Sequence, residues 1–222
     1  MKNVVVVAPH PDDETLGCGG TLLRHKEQGD AVHWIIVTEM LEEHGFSPER
    51  IAARDREIQE VAERYAFQSV VRLGFPTTKL DEIPMSELVG KMSEAFQNIR
   101  PNILYVPYRG DVHTDHQYVF DAAVSCSKWF RYPYVEKILV YETLSETDFG
   151  MDPDTNGFRP NVYVDISRFL DQKLKIMQVY QSEIGEFPFP RSIETIRALA
   201  SIRGSAGGFA ASEAFMLLKE RM

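Results

Sequence analysis

Two short stretches concentrate the side chains that can ligate a metal or move protons. One is His10-Pro11-Asp12-Asp13-Glu14 and the other Asp111-Val112-His113-Thr114-Asp115-His116; together they hold three of the six histidines in the chain. Zinc accepts imidazole nitrogen and carboxylate oxygen, and a catalytic zinc site uses three protein ligands plus a water. His10, an aspartate beside it and one histidine of the second stretch satisfy that count. His10 and Asp13 stand three apart, reachable by one ion from a turn, which leaves Asp12 free to face a bound water. His113 and His116 also stand three apart and share a face if a helix starts there. One of them can ligate metal while the other stands beside the substrate. A zinc-bound water has its pKa lowered towards about 7, so a carboxylate can deprotonate it at neutral pH. A protonated histidine opposite could then stabilise an oxyanion or protonate a leaving nitrogen.

Each stretch alone has an ordinary explanation. Asp12 or Asp13 by itself reads as a helix cap, and His25, His33 and His44 read as surface or packed residues. Placement is what raises the two stretches above these. Short apolar runs at residues 4–8, 31–38, 69–73, 102–107 and 137–141 are mostly continuous rather than alternating, as in strands buried on both faces of a parallel sheet. Between them lie helical stripes: Ile51, Ile58, Val61 and Tyr65; Leu88, Met92, Ala95 and Ile99; and Val119, Ala122, Ala123, Cys126 and Phe130. Ser47-Pro48-Glu49 reads as a helix start and Arg100-Pro101 as a helix end. This alternation predicts an α/β, Rossmann-like layered domain with a mostly parallel central sheet flanked by helices. Both chemical stretches then fall in loops at strand ends, where sites form in open α/β sheets.

After residue 142 the pattern changes. Residues 143–160 read as a long loop, 161–166 as a strand, and Ile166, Leu170, Leu174 and Met177 as a helix. The last dozen residues fit helix or strand equally. No linker or repeat divides the chain, so a single domain over 1–222 is expected, with a 1–142 core and a 143–222 elaboration packed on it. Gly17-Cys18-Gly19-Gly20 lacks the G-x-G-x-x-G spacing, because Leu22 stands where a glycine would be needed. Close packing of its helix on the sheet is the plainer reading. Phe187-Pro188-Phe189-Pro190-Arg191 reads as a rigid aromatic loop, either a lid over the site or a plug over the core.

The 222 residues carry 24 Lys+Arg against 33 Asp+Glu, a net charge of −9, which argues against a broad nucleic-acid surface. Cys18 and Cys126 are too few for a disulfide framework. No apolar run approaches the roughly 18 residues of a membrane span, and the N-terminus has no signal-peptide pattern. A cytoplasmic protein is expected.

At its two chemical stretches the sequence resembles the PIG-L (LmbE-like) family of zinc-dependent N-acetylglucosamine deacetylases. The family's first signature matches Ala8-Pro9-His10-Pro11-Asp12-Asp13-Glu14, and its H-x-D-H matches His113-Thr114-Asp115-His116. The resemblance implies that His10, Asp13 and His116 bind Zn²⁺ or another divalent transition metal. It implies Asp12 as general base, His113 as electrostatic or acid catalyst, and Asp115 as the carboxylate orienting His113. The family's R-x-x-E matches Arg54-Asp55-Arg56-Glu57, which implies that Arg54 helps hold substrate. Independently, Arg54 falls on the apolar stripe of its helix, where an unpaired arginine is costly unless it snorkels to water. Arg109, two residues before Asp111, could reach a substrate anion or be a solvated loop charge. The expected partner is a small N-acetylated sugar or sugar conjugate, and related proteins often assemble as trimers or hexamers. The alternatives are a zinc amidase acting on another amide, such as a thiol-sugar conjugate, and a sugar- or nucleotide-binding module without turnover.

Overall fold

The computed structural model describes residues 1–151 and 157–222. Seven strands, β1 (Asn3–Ala8), β2 (Ala31–Glu39), β3 (Ser69–Pro76), β4 (Ile103–Pro107), β5 (Lys137–Tyr141), β6 (Val162–Asp165) and β7 (Ser212–Glu220), form one sheet in the order β3-β2-β1-β4-β5-β7-β6. The strands β1 to β5 pair in parallel, whereas β7 runs antiparallel between β5 and β6. The apolar runs form strands because both faces are covered: Val4, Val5, Val6 and Val7 are all fully buried. Burying such a side chain contributes roughly 1.5–3 kcal/mol.

The faces are divided between two helical layers. Val4, Val6, Trp34 and Ile36 pack with α1 (Asp13–Glu27), α2 (Pro48–Tyr65), α5 (Leu170–Met177) and α6 (Ile193–Gly207). Val5, Val7, Ile35 and Val106 pack with α3 (Met85–Ile99) and α4 (Thr114–Ser125). The Ser47 hydroxyl accepts from Arg50 N–H at 3.3 Å and Pro48 opens α2, while Arg100 closes α3 at a φ of 58° just before Pro101. The third predicted stripe ends early: α4 stops at Ser125, and Phe130 lies beyond it, exposed.

In the C-terminal part the predicted strand at 161–166 is β6 and the predicted helix is α5. The undecided last residues form β7, and α6 is an element that the apolar pattern did not reveal. Of the predicted loop at 143–160, residues 147–149 form a 3₁₀ turn, and Pro153 lies outside the described residues. The glycines of α1 are packing residues. A Cβ on Gly17 would come within 2.3 Å of the Tyr141 ring, and one on Gly20 within 2.6 Å of Ile166. A buried ion pair completes this contact. Lys173 Nζ lies 2.7 Å from Glu213 Oε1 and donates to the Leu16 carbonyl at 2.8 Å, while the Glu213 carboxylate accepts from Gly20 N–H and Thr21 N–H. The pair ties α5 and β7 to the middle of α1.

The chain leaves β1 towards β2 on one side, and leaves β4 towards β5 on the other, so a crevice opens where β1 and β4 lie side by side. This is the switch point at which open α/β sheets bind ligands.

Candidate active site

Both histidine–carboxylate stretches meet at that crevice. His10 follows β1, Asp13 opens α1, His113 is the N-cap residue of α4, and Asp115 and His116 lie in its first turn. The His10 and His113 ring centroids are 4.5 Å apart, and His116 lies 5.5 Å from each. Asp13 Oδ2 stands 3.4 Å from both His10 Nδ1 and His116 Nε2. The donor atoms of His10, Asp13 and His116 all fall within 4.8 Å of one another, as do those of His10, His113 and Asp115.

Hydrogen bonding separates the two trios. In the second, the Asp115 carboxylate is already engaged by His10 Nε2 at 3.0 Å, Thr78 N–H at 2.7 Å and Leu80 N–H at 3.3 Å. In the first, His116 Nε2 is buried and hydrogen-bonded to nothing among the described residues, although its other nitrogen is held 2.7 Å from Asp111 Oδ2. A buried nitrogen without a partner, facing a carboxylate and a second imidazole, fits a metal ligand. Two nitrogens and a carboxylate oxygen are also a donor set that zinc accepts. His10, Asp13 and His116 therefore could hold a divalent ion, with Asp115 and Asp111 fixing the far nitrogens of the two histidines.

The electrostatics agree. Burial lowers the pKa of His116, but attraction to Asp13 and Asp111 outweighs it and carries the group up to about 10. Burial likewise opposes charge on His10, yet Asp115 and Asp13 raise it to about 9. Burial would raise Asp13; instead the facing His116 and His10 hold it well below the usual carboxylate range. The cluster demands positive charge at the places a metal would fill.

Two roles implied by the resemblance change in detail. Asp115 was expected to orient His113, but its carboxylate grips His10; what it offers His113 is its backbone N–H, 3.1 Å from Nδ1. That bond also bears on the protonated His113 expected from the sequence. Nδ1 is an acceptor here, so the imidazole is neutral with its proton on Nε2. Burial, followed by repulsion from His10 and His116, lowers its pKa to about 4.

Asp12 is not a cap. It occupies the N-cap position of α1 without a side-chain capping bond, at a φ of 129°. Side-chain-bearing residues rarely adopt that conformation, and it costs of order 1–3 kcal/mol. Its N–H is held by Glu14 Oε2 at 3.0 Å, and Glu14 in turn accepts from Thr15 and Tyr180 hydroxyls. The Asp12 carboxylate meets Arg191 Nη1 at 2.7 Å. Burial keeps the Asp12 pKa well above its ordinary value even against the pull of Arg191.

Arg191 thus brings the end of its loop into direct contact with the proposed base. It also reaches Ser145 Oγ at 2.8 Å, Glu146 at 3.1 Å and Glu183 at 3.2 Å. Sequence reasoning gave Arg191, Glu183 and Glu146 no chemical role, because none lies near a motif. Asp111 sat inside a quoted stretch, and its spacing of five before His116 was the available signal. Arg54 does line the cleft, but its guanidinium is spent on Pro11 O at 3.0 Å, Ser182 Oγ at 3.2 Å and the Glu183 carboxylate. It straps the His10–Asp13 loop to the C-terminal part. Arg109 is not at the site: it is exposed and pairs with Asp121 at 2.7 Å, as a solvated loop charge would. The cleft itself measures about 180 Å³ and is lined by His10, Asp12, His113, Arg54, Glu183 and Arg191 among others.

A mostly parallel α/β sheet with a histidine–aspartate metal-type cluster and a buried carboxylate at its switch point describes a class of protein. Residues 5–127 match the family model described as PIG-L, GlcNAc-PI de-N-acetylase, and the chain belongs to that family. It is 25% identical over 225 residues to the diacetylchitobiose deacetylase of Thermococcus kodakarensis, covering 94% of this chain and 80% of that one. It is likewise 25% identical over 191 residues to a probable N-acetyl-alpha-D-glucosaminyl L-malate deacetylase 2 of Bacillus cereus, covering 82% and 84% of the two chains. Among solved structures, the conserved protein TT1542 from Thermus thermophilus superposes with a TM-score of 0.77 at 29% identity, covering 100% of this chain and 97% of the other. No helix among the described residues is long and apolar enough to cross a membrane.

Proposed function

We propose that this protein is a zinc-dependent hydrolase that removes acetate from the 2-acetamido group of an N-acetylglucosamine-type sugar or conjugate. The observation that carries the reading is the His10–Asp13–His116 trio, whose buried His116 Nε2 makes no hydrogen bond among the described residues, beside an arginine-held Asp12. The deacetylase names of the two curated relatives support it. His10, Asp13 and His116 would hold a divalent ion, which would supply Lewis acidity to the amide carbonyl and to water.

The chain's own residues do the rest. Asp12 takes a proton from the attacking water. Its raised pKa makes it a better base than an ordinary surface carboxylate and lets it hold the proton until the amine departs. Arg191 keeps the Asp12 carboxylate turned into the cleft. His113, neutral with hydrogen on Nε2, donates to the oxygen that becomes negative as the carbonyl turns tetrahedral. Asp12 then returns the proton to the leaving nitrogen, so no separate acid is required. Metal analysis of purified protein, with acetate release from N-acetylglucosamine, N,N′-diacetylchitobiose and a panel of conjugates, tests the reading. Zinc-loaded protein that releases acetate from none of them would overturn it.

A further inference from the structure

We propose that the cleft contains a second subsite, formed by Arg72, Glu39 and Asp55, that takes an uncharged hydroxyl-rich group such as a second sugar ring. This inference rests on the deacetylase reading and names what the acetylated sugar is joined to.

The cleft extends from His10 and His113 at the ends of β1 and β4 to the β3 edge of the sheet. β1 and β3 lie two strand spacings apart, about 10 Å. A group touching Arg72 therefore sits beyond the acetamido group held at the histidines, on the side of the sugar away from the chemistry. Three arginines line the cleft, no lysine does among the described residues, and each arginine is already paired. Arg54 is bound to Glu183 and approaches Glu57 at 3.4 Å; Arg191 is bound to Asp12, Glu183 and Glu146. Arg72 meets Asp55 at 2.7 Å and Glu39 at 2.9 Å. The lining carboxylates Asp12, Glu39, Asp55 and Glu183 outnumber the arginines. At the outer end a single guanidinium, Arg72, faces two carboxylates, Glu39 and Asp55, so the local charge is negative and opposes an anionic aglycone.

Neighbouring hydroxyls face no such obstacle. One can accept from a guanidinium N–H while the next donates to the partner carboxylate, with the ion pair left intact. Only the outer cluster is accessible enough to do this: the side chain of Arg72 is 38% exposed, Glu39 26% and Asp55 46%, against 8% for Arg54 and 16% for Arg191. Met40, Ile51 and Ile58 also line the cleft and offer apolar surface for the C–H face of a ring.

The test measures kcat and KM of the metal-loaded protein on N-acetylglucosamine, N,N′-diacetylchitobiose and the anionic N-acetylglucosamine 1-phosphate. The disaccharide should exceed the phosphate at least tenfold in kcat/KM. Arg72→Met and, separately, Glu39→Gln should lower the disaccharide-to-monosaccharide ratio of kcat/KM roughly tenfold, the loss of one charge-assisted hydrogen bond, and through KM. Calorimetry of the same sugars on Asp12→Asn, alone and combined with Arg72→Met, reads the subsite without turnover. Preference for the phosphate, or an unchanged ratio in both variants, overturns the inference. Absence of turnover on every sugar overturns the deacetylase reading instead. In that event tighter binding of disaccharide than monosaccharide, abolished by Arg72→Met, still supports the subsite, and equal binding removes it.

Discussion

The two parts of the chain contribute to the site in different ways. Among the described residues, the part up to β5 supplies every candidate metal ligand, each in the loop or first helical turn after a strand, and steadies the two histidines with carboxylates of its own, Asp115 and Asp111. The part after it supplies no candidate ligand among the described residues but holds what the first part needs: Arg191 on Asp12, Glu183 on Arg54, Tyr180 on Glu14 and Lys173 on α1. Ligation is local in sequence because three donors must converge within a few ångströms, which short loops at adjacent strands can arrange. Restraint of the base is remote, because a buried carboxylate requires a cation that its own loop does not carry.

This division of labour is tested most severely at the base. Asp12→Ala should cost about 10²–10⁴ in kcat and leave bound metal nearly unchanged, whereas His116→Ala should lose most of the metal. Metal content measured beside turnover checks both, and equal metal loss in the two variants would erase the distinction between ligand and base. On the remote side, Lys173→Met leaves Glu213 buried without its cation and should destabilise the fold by about 3–5 kcal/mol in denaturant unfolding. Arg191→Ala should lower kcat/KM about 10–100-fold with metal retained, and Arg191→Lys should recover part of it, since it restores the charge without the fork geometry.

A pH series probes the ligating side. In metal-free protein His10 and His116 titrate at about 9 and about 10, above the ordinary 6.5. Raised histidine values contribute stability that is fully present below about pH 6.5 and lost as pH climbs through 9 to 10. A metal must displace those two protons, so its affinity should move oppositely, rising by up to about a hundredfold per pH unit between about pH 7 and 9. Competition with a chromophoric chelator measures it; a flat profile would exclude these histidines as ligands. The smallest effect is expected at Arg109→Ala, whose exposed pair with Asp121 should matter by less than about 0.5 kcal/mol and leave kcat/KM untouched.

Much of this was readable in advance. The five parallel strands announced themselves as continuous apolar runs, since strands buried on both faces tolerate little else. The packing role of Gly17–Gly20 followed from the missing phosphate-loop spacing, and Tyr141 and Ile166 bear it out. What was hidden has a common cause. α6 packs only a few buried residues, Ile196, Ala200 and Gly204, so it left no stripe. Arg191 lies 179 residues from Asp12, and no local pattern marks that pairing.

From the amino-acid order alone follow the α/β layering, the strand ends that carry His10–Asp13 and His113–His116, and the residue types able to hold a metal. These depend on periodicity and short spacing, which are properties of neighbouring residues. Three-dimensional packing was needed to show that the Asp115 carboxylate bonds His10 rather than His113, that the Asp115 N–H donates to His113 Nδ1, that Arg54 joins Pro11 to Glu183, that Arg109 pairs with Asp121 and that Arg191 meets Asp12. Each of those depends on which nitrogen or oxygen is already satisfied by a partner, and hydrogen-bond partners are assigned by packing across the whole chain.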